Sequence, residues 1–302
     1  MIMGIYDRDY TFGRGGRASR PGLWSFNTYL IIANIAVFLL QVFVPPRGGV
    51  SPVEAFGYFS TFKVTLDGGL EFWRFLTFQF LHSGMVHLFF NMLGLYMFGS
   101  MVEQHLGSKR YIAFYLTCGV CGGLAYLLLN AGGTLAAHYG VKVPGLLFND
   151  PRTPLVGASA GVFGVILACA YIAPNLVVQL IFPPIPLRMR TFAYVYVGIA
   201  AASVIFGSRN AGGEAAHLGG AAAGFFLIRR AHLLRDFFDI FTDSRKATAR
   251  RAPPPRREPG PDPAEVDRIL DKVRAQGVHS LSESEKRILR QATEQRRSSG
   301  AA

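Results

Sequence analysis

The sequence predicts an all-α polytopic membrane protein, in which six spanning helices form one bundle followed by a polar tail. Three observations carry that expectation. Half of the 302 residues are hydrophobic and only 17% are charged, a balance uncommon in soluble domains. The apolar residues gather in runs that approach the ~20 needed to cross a bilayer. Three basic pairs, Lys109-Arg110, Arg188 with Arg190, and Arg229-Arg230, fall in the connections that the helix count assigns to the cytoplasm, in keeping with the positive-inside rule.

Residues 1–23 are polar and carry Arg8, Arg14, Arg17 and Arg20. They show no cleavable signal pattern, and their charge puts them in the cytoplasm ahead of an uncleaved anchor helix at 29–44. Pro45-Pro46 closes that run. Residues 47–79 are too interrupted to span and too aromatic for a solvated loop. They read as short helices lying in the outer interface, where aromatic rings are comfortable. The second run is 85–102, bounded by Glu103 and His105. The third, 111–130, follows Lys109-Arg110. Residues 131–154 read as a polar, Gly-rich outer loop. The fourth run is 157–173, and a Pro-rich connection, 174–190, follows it. The fifth is 191–206. The sixth, 215–228, is closed by Arg229-Arg230.

On this count Lys109, Arg110, Arg188, Arg190, Arg229 and Arg230 all face the cytoplasm. The expected location is the cell membrane, with both termini inside. The net charge of +12 does not call for nucleic acid, because basic residues beside spanning segments set topology and meet anionic lipid. The membrane domain is expected at 24–232 and a cytoplasmic tail at 233–302. Within the tail, 244–263 is Arg/Pro-rich and lacks core-forming residues. Helical spacing resumes at Val266, Ile269, Leu270 and Val273, then at Leu281, Ile288 and Leu289, and Ser282 with Glu285 resembles a capping box. Cys118, Cys121 and Cys169 sit in apolar runs without a second pair or a nearby His, so they read as small packing residues. No metal or cofactor is expected.

The candidate chemistry lies in two small-residue stretches. Ser159 is the single hydroxyl of 155–164, and His217 the single imidazole of 213–224. Measured from the inner anchor of each helix at ~1.5 Å per residue, Ser159 stands ~22 Å up, His217 ~18 Å, His87 ~24 Å and Asn91 ~18 Å. Four polar side chains thus share one band of a ~30 Å hydrocarbon layer. Polar groups so deep normally face a protein interior or a wet cavity. Ser needs a base to become a nucleophile, and imidazole suits that task. Gly157, Gly161 and Gly164 on one helix, and Gly220 and Gly224 on the other, permit the close packing this demands. His217, Gly220 and Gly224 share a face. His87 and Asn91, four apart, also share one, and can donate to an oxyanion together with the Ser159 backbone N–H as a third donor. His82 falls nearer the outer surface. Phe163, one turn inward of Ser159, offers the imidazole a ring. Glu214 stands one turn above His217 and about 60° round an ideal helix, so a Ser–His dyad is expected rather than a triad.

At these residues the sequence resembles the rhomboid intramembrane serine proteases, over roughly 73–230. Trp73-Arg74 resembles the pair in that family's first outer loop. His82, His87 and Asn91 match its second-helix pattern, and Glu103 with Leu106-Gly107-Ser108 its inner end. Gly157-Ala158-Ser159-Ala160 matches the Gly-x-Ser-x nucleophile motif. Ala216-His217-x-x-Gly220-x-x-x-Gly224 matches the base motif. One departure is Phe163, where many members carry Tyr. The resemblance implies cofactor-free hydrolysis of peptide bonds near the outer ends of other membrane proteins' helices. It implies Ser159 as nucleophile, His217 as base, and an oxyanion site of His87, Asn91 and the Gly157 segment. The partners implied are transmembrane substrates and lipid. One rival is a catalytically inactive relative that binds membrane proteins, although this chain keeps both Ser and His. A transporter would need internal repeats or intramembrane acids, which are not seen. A His-Glu-x-x-His zinc site is missing.

Overall fold

The structure, a computed structural model, describes residues 25–46, 49–180, 184–234 and 262–299. The expected cytoplasmic segment 1–23 and the Arg/Pro-rich stretch as far as 261 lie outside the described residues. The chain divides into two compact units, Met1–Thr242 and Asp243–Ala302.

The first unit begins with helix α1, Phe26–Phe43, whose N-cap Ser25 accepts the Thr28 N–H. The Glu103 carboxylate also sits at this helix start, accepting the N–H groups of Phe26 and Asn27 at 3.0 and 2.9 Å. An anion is stabilised there by the unpaired amides of the first turn. Glu103 therefore ties the start of the first helix to the C-terminal end of the second.

Short helices α2 (Pro52–Gly57), α3 (Thr61–Val64) and α4 (Arg74–Thr77) follow, as the aromatic stretch predicts. The second span is α5, Met85–Gly94, continued through a π-helical turn at Leu95–Gly99 into α6, Ser100–Leu106. A π turn leaves a carbonyl outside the α pattern. The Asn27 amide donates to the Leu95 carbonyl at 2.9 Å, while the Tyr111 hydroxyl donates to Asn27 Oδ1 at 2.6 Å.

Helix α7 runs Ser108–His138, so the third helix continues well into the stretch expected to be an outer loop. The added turns hold Leu135, Ala136 and Ala137, which are good helix formers. The following segment folds back on them, with the Leu147 N–H donating to the Leu129 carbonyl at 3.1 Å.

Helix α8, Ser159–Ile172, is only ~21 Å long. It is buried on every side from Ala160 to Cys169, as a helix apolar all round should be. The connection after it holds a small antiparallel hairpin, β1 (Val177–Gln179) against β2 (Pro186–Arg188), so the chain is not purely α. Strand pairing there satisfies backbone groups that a Pro-rich, non-helical segment leaves open.

Helices α9 (Met189–Ile205) and α10 (Ala211–Arg229) complete the unit. Among the described residues, three helical stretches are long and apolar enough to cross a membrane: Phe26–Phe43, Met85–Leu106 and Ser108–His138. Helices α8 and α9 are shorter apolar helices, and α10 is diluted by Gly, Ala and Glu214.

The second unit is a helical hairpin of α11 (Pro263–Gln276) and α12 (Glu283–Ser299), with Ile269 and Leu281 buried. The Ser282–Glu285 box forms reciprocally. The Ser282 N–H reaches Glu285 Oε2 at 2.8 Å, and the Glu285 N–H reaches Ser282 Oγ at 3.3 Å.

Candidate active site

Helices α7, α8 and α10 meet almost backbone to backbone, and this brings the two remote motifs together. A methyl added at Gly224 would lie 2.5 Å from Gly164 Cα, and one at Gly122 would lie 2.7 Å from the Ala216 carbonyl oxygen. At Gly220 it would overlap the Ala160 carbonyl. Only the missing side chains allow such approach.

At the top of this contact Ser159 opens α8 and His217 projects from α10. Ser159 Oγ stands 2.7 Å from His217 Nε2. The imidazole lies flat on Phe163, with ring centroids 4.2 Å apart and planes 12° apart. Phe163 carries Tyr196 of α9 on its other side at 4.9 Å, and Tyr196 stacks on Phe192 at 5.5 Å. The sequence suggested the Phe163 contact. The continuation of this ring column into α9 was not anticipated, although the i,i+4 spacing of Phe192 and Tyr196 was its signal.

Glu214 corrects the reading of the sequence. Its Oε2 lies 2.9 Å from His217 Nδ1, and its Oε1 accepts from Asn210 Nδ2 at 3.3 Å. A 60° offset over one turn is the i,i+3 neighbour relation, and a Glu side chain spans it easily. The imidazole thus stands between a hydroxyl and a carboxylate.

His87 faces the same spot. Its Nδ1 accepts the Ser83 N–H at 3.4 Å and lies 3.0 Å from Ser83 Oγ. That assignment leaves the proton on Nε2, which would stand 2.9 Å from a Cβ at Gly157. Gly157 has φ +137°, a region L side chains rarely adopt, so both its backbone and its surroundings exclude a larger residue. Its own N–H donates to the Phe78 carbonyl at 2.9 Å. Gly157 is therefore already engaged as a donor, and its contribution is room. The free amides of the α8 first turn are the backbone donors at hand. Asn91 lines the same cavity, with its amide donating to the His87 carbonyl at 2.9 Å.

His82 is buried, edge-on to His87 at 5.1 Å between ring centroids, and among the described residues no hydrogen-bond partner within ordinary geometry meets either ring nitrogen. Its backbone pairs with the Gln41 amide of α1 through both N–H and carbonyl.

Trp73 and Arg74 do not line the cavity over Ser159 and lie in the segment between the first two spans. Trp73 stacks on Phe56 at 6.0 Å. Arg74 is 3% exposed, ion-paired to Glu71, and donates to the carbonyls of Tyr58 and Ala55 at 2.6 and 3.0 Å. Burial alone raises the pKa of the Glu71 carboxyl, but Arg74 and Lys63 outweigh it and hold the group below its ordinary value. These two residues staple the loop.

A cavity of about 860 Å³ sits over the pair, lined by Ser159, His217, His87, Asn91, Gly157 and Phe163, and covered partly by residues 207–213 and 146–149. Among the described residues no cluster of His, Cys, Asp or Glu is arranged to hold a metal. The three cysteines are free thiols.

The rhomboid domain model matches residues 69–232, more than half of the chain. The chain belongs to the rhomboid family. Rhomboid protease GluP of Bacillus subtilis is 32% identical over 148 residues, 48% of this chain and 24% of that protein. RHOMBOID-like protein 12, mitochondrial, of Arabidopsis thaliana is 29% identical over 228 residues, 73% of this chain and 58% of its own length. Rhomboid protease AarA of Providencia stuartii is 29% identical over 212 residues, 68% and 71% of the two chains. This chain thus spans about a quarter of the first of these relatives and somewhat over half of the second. A shorter stretch, 58 residues, is 41% identical to Inactive RHOMBOID-like protein 8 of Arabidopsis thaliana. A second model, a family of unknown function (DUF6576), matches residues 262–294, the helical hairpin. A rhomboid domain carrying several apolar helices makes this a membrane protein of a protease family.

Proposed function

We propose that this protein is a serine endopeptidase that cuts transmembrane segments of other membrane proteins near their outer ends, with Ser159 as nucleophile and His217 as base. The 2.7 Å approach of Ser159 Oγ to His217 Nε2, beneath a cavity and backed by Phe163, carries this reading. The imidazole takes the hydroxyl proton as Oγ attacks the substrate carbonyl. His87 Nε2–H, the Asn91 amide and the first amides of α8 receive the developing oxyanion. The same imidazole then protonates the leaving amine, and water resolves the acyl-enzyme.

A helical substrate keeps its carbonyls hydrogen-bonded, so it must unwind locally before attack. Gly, Pro or polar residues near the outer interface make that easier. The Gly-rich segment 207–213 serves as a cover that opens, and α9 tilts to admit substrate from the side. Orientation follows the positive-inside rule, with 24–232 in the cell membrane, the tail 233–302 in the cytoplasm and the site open to the outer face.

The rival reading, an inactive rhomboid-like binder, draws on the likeness to an inactive relative over 58 residues. Labelling of purified protein by a fluorophosphonate probe separates the two. Labelling of the wild type that is lost in both Ser159→Ala and His217→Ala supports the protease. Equal labelling of wild type and Ser159→Ala would rule it out.

A further inference from the structure

Glu214 is the charged group that the reaction just described does not use. It occupies the first turn of α10, where a carboxylate is favoured by the unpaired amides. That preference explains an acid at this position, but not why its side chain turns down onto the imidazole. Three contacts fix the ring of His217: the Glu214 carboxylate 2.9 Å from Nδ1, the Ser159 hydroxyl 2.7 Å from Nε2, and the face of Phe163. An ionised carboxylate only accepts hydrogen bonds. The single proton of a neutral imidazole therefore sits on Nδ1, and the Nε2 lone pair is left for the serine hydroxyl. Asn210, immediately before α10, donates to the other carboxylate oxygen at 3.3 Å and holds the group in this rotamer.

We propose that Glu214 is a positioning residue that acts through His217, completing an acid–imidazole–hydroxyl relay where the sequence suggested a pair. This rests on the protease reading above. Its carboxylate selects the productive tautomer and stabilises the imidazolium formed on attack. As Ser159 Oγ bonds to the substrate carbon, its proton moves to His217 Nε2 and the carbonyl π pair moves to oxygen. When the C–N bond breaks, the departing nitrogen takes that proton. Glu214 stays ionised throughout.

The other titratable or charged groups around the imidazole are His87 at the start of α5, Tyr196 of α9 behind Phe163, Tyr126 of α7 beside Gly212, and Lys142 and Arg209 on the cavity wall. Among the described residues, no Asp or Glu lines that cavity. Glu214 is thus the acid in contact with His217.

The test uses the full-length protein in proteoliposomes, cleaving a transmembrane reporter. Wild type, Glu214→Gln, Glu214→Asp and Ser159→Ala are compared across pH, with thermal unfolding of each. Glu214→Gln is expected to lower kcat about 10- to 100-fold with KM nearly unchanged, because the interaction is needed most in the transition state. Glu214→Asp should restore part of that loss. A Glu214→Gln enzyme with wild-type kcat overturns the proposal. So does a loss of kcat that merely tracks the lost folded fraction. If Ser159→Ala cleaves as well as wild type, the protease reading itself fails. If Ser159→Ala is inactive but Glu214→Gln is normal, only the role of Glu214 falls. Nitrogen-15 histidine spectra give a readout independent of turnover. His217, identified by its loss in His217→Ala, should be protonated at Nδ1 in the wild type and mixed between tautomers in Glu214→Gln. A wild-type spectrum with His217 protonated at Nε2 overturns the proposal.

Discussion

Replacing Gly220 by Ala adds one methyl group, and it does so where two backbones touch. That methyl would overlap the Ala160 carbonyl oxygen and lie 2.7 Å from its carbon, against an ordinary contact near 3.4 Å. The obstacle is backbone within a fully buried helix, so no side chain can swing aside. Helices α8 and α10 must separate by about 1 Å. Ala160 adjoins Ser159, and His217 lies less than one turn from Gly220, so the separation acts directly on the 2.7 Å hydroxyl–imidazole contact. Overpacking costs about 1–3 kcal/mol, while Ala in place of Gly returns up to about 1 kcal/mol of helix propensity. The net loss of stability is therefore about 0–3 kcal/mol. Misplacing reacting groups by about 1 Å costs about 100-fold in rate. Gly220→Ala should then melt within a few degrees of wild type yet react with a fluorophosphonate about 100-fold more slowly. Gly198→Ala on α9 is the control, because a methyl there meets nothing within 4 Å, and its labelling should match wild type. A Gly220→Ala protein that labels at the wild-type rate would refute the claim that close packing of α8 and α10 sets the geometry.

Other expectations follow from the same coordinates. Phe163→Tyr should keep the labelling rate, because the ring that supports His217 remains. Phe163→Ala should slow labelling about tenfold, since a stacked pair is worth about 0.5–1.5 kcal/mol and the imidazole gains freedom. Arg74→Ala removes a buried cation from the Glu71 carboxylate and two carbonyls. It should lower stability by about 3 kcal/mol, read as a drop in unfolding temperature, as expected when one partner of a buried pair is removed. In the tail, the Ser282 N–H and Lys272 push the Glu285 carboxyl from 4.5 down to about 2. Its folded value lies below the unfolded one, so the hairpin gains stability above pH 4.5 and loses it as pH falls towards 2. Hydrogen exchange of the whole protein should show protection of 263–299 falling in that window, and Glu285→Gln should weaken the pH dependence, leaving the smaller part due to Glu283, which Lys286 also holds below its ordinary value.

Much of the site was legible because small residues and lone polar groups stand out against an apolar background. Ser159 and His217 are each the one reactive side chain in a Gly/Ala-rich stretch. Counting residues from the inner anchors placed them in a common band before any contact was known, and the 2.7 Å approach agrees with that placement. The fold was less legible at its edges. Helix α7 overruns into the region read as loop because Gly132 and Gly133 look like breakers. In the structure they pack against Leu146 and the Leu147 backbone, and that packing offsets their propensity cost. The β1–β2 hairpin was hidden because its strands are three residues each and carry no alternating pattern.

Glu214 shows why helical projection misjudges a site of this kind. Projection gives the direction of each Cα–Cβ bond, and 60° was taken as pointing elsewhere. The functional atoms of Glu and His lie several bonds beyond Cβ, and both side chains lean over the turn between them. Two long side chains at i and i+3 therefore meet unless something else claims them. The opposite holds for Gly157. The family resemblance implied an oxyanion role for the Gly157 segment, but the Gly157 N–H is engaged by the Phe78 carbonyl, and its φ of +137° marks a position where a side chain does not fit. The residue that fits a motif by position can thus act through the space it leaves, while an acid outside the motif reaches the reacting imidazole. In a bundle held by backbone contacts, a difference of one methyl at Gly220 or one carboxylate at Glu214 bears directly on the Ser159–His217 contact, because no flexible layer lies between them.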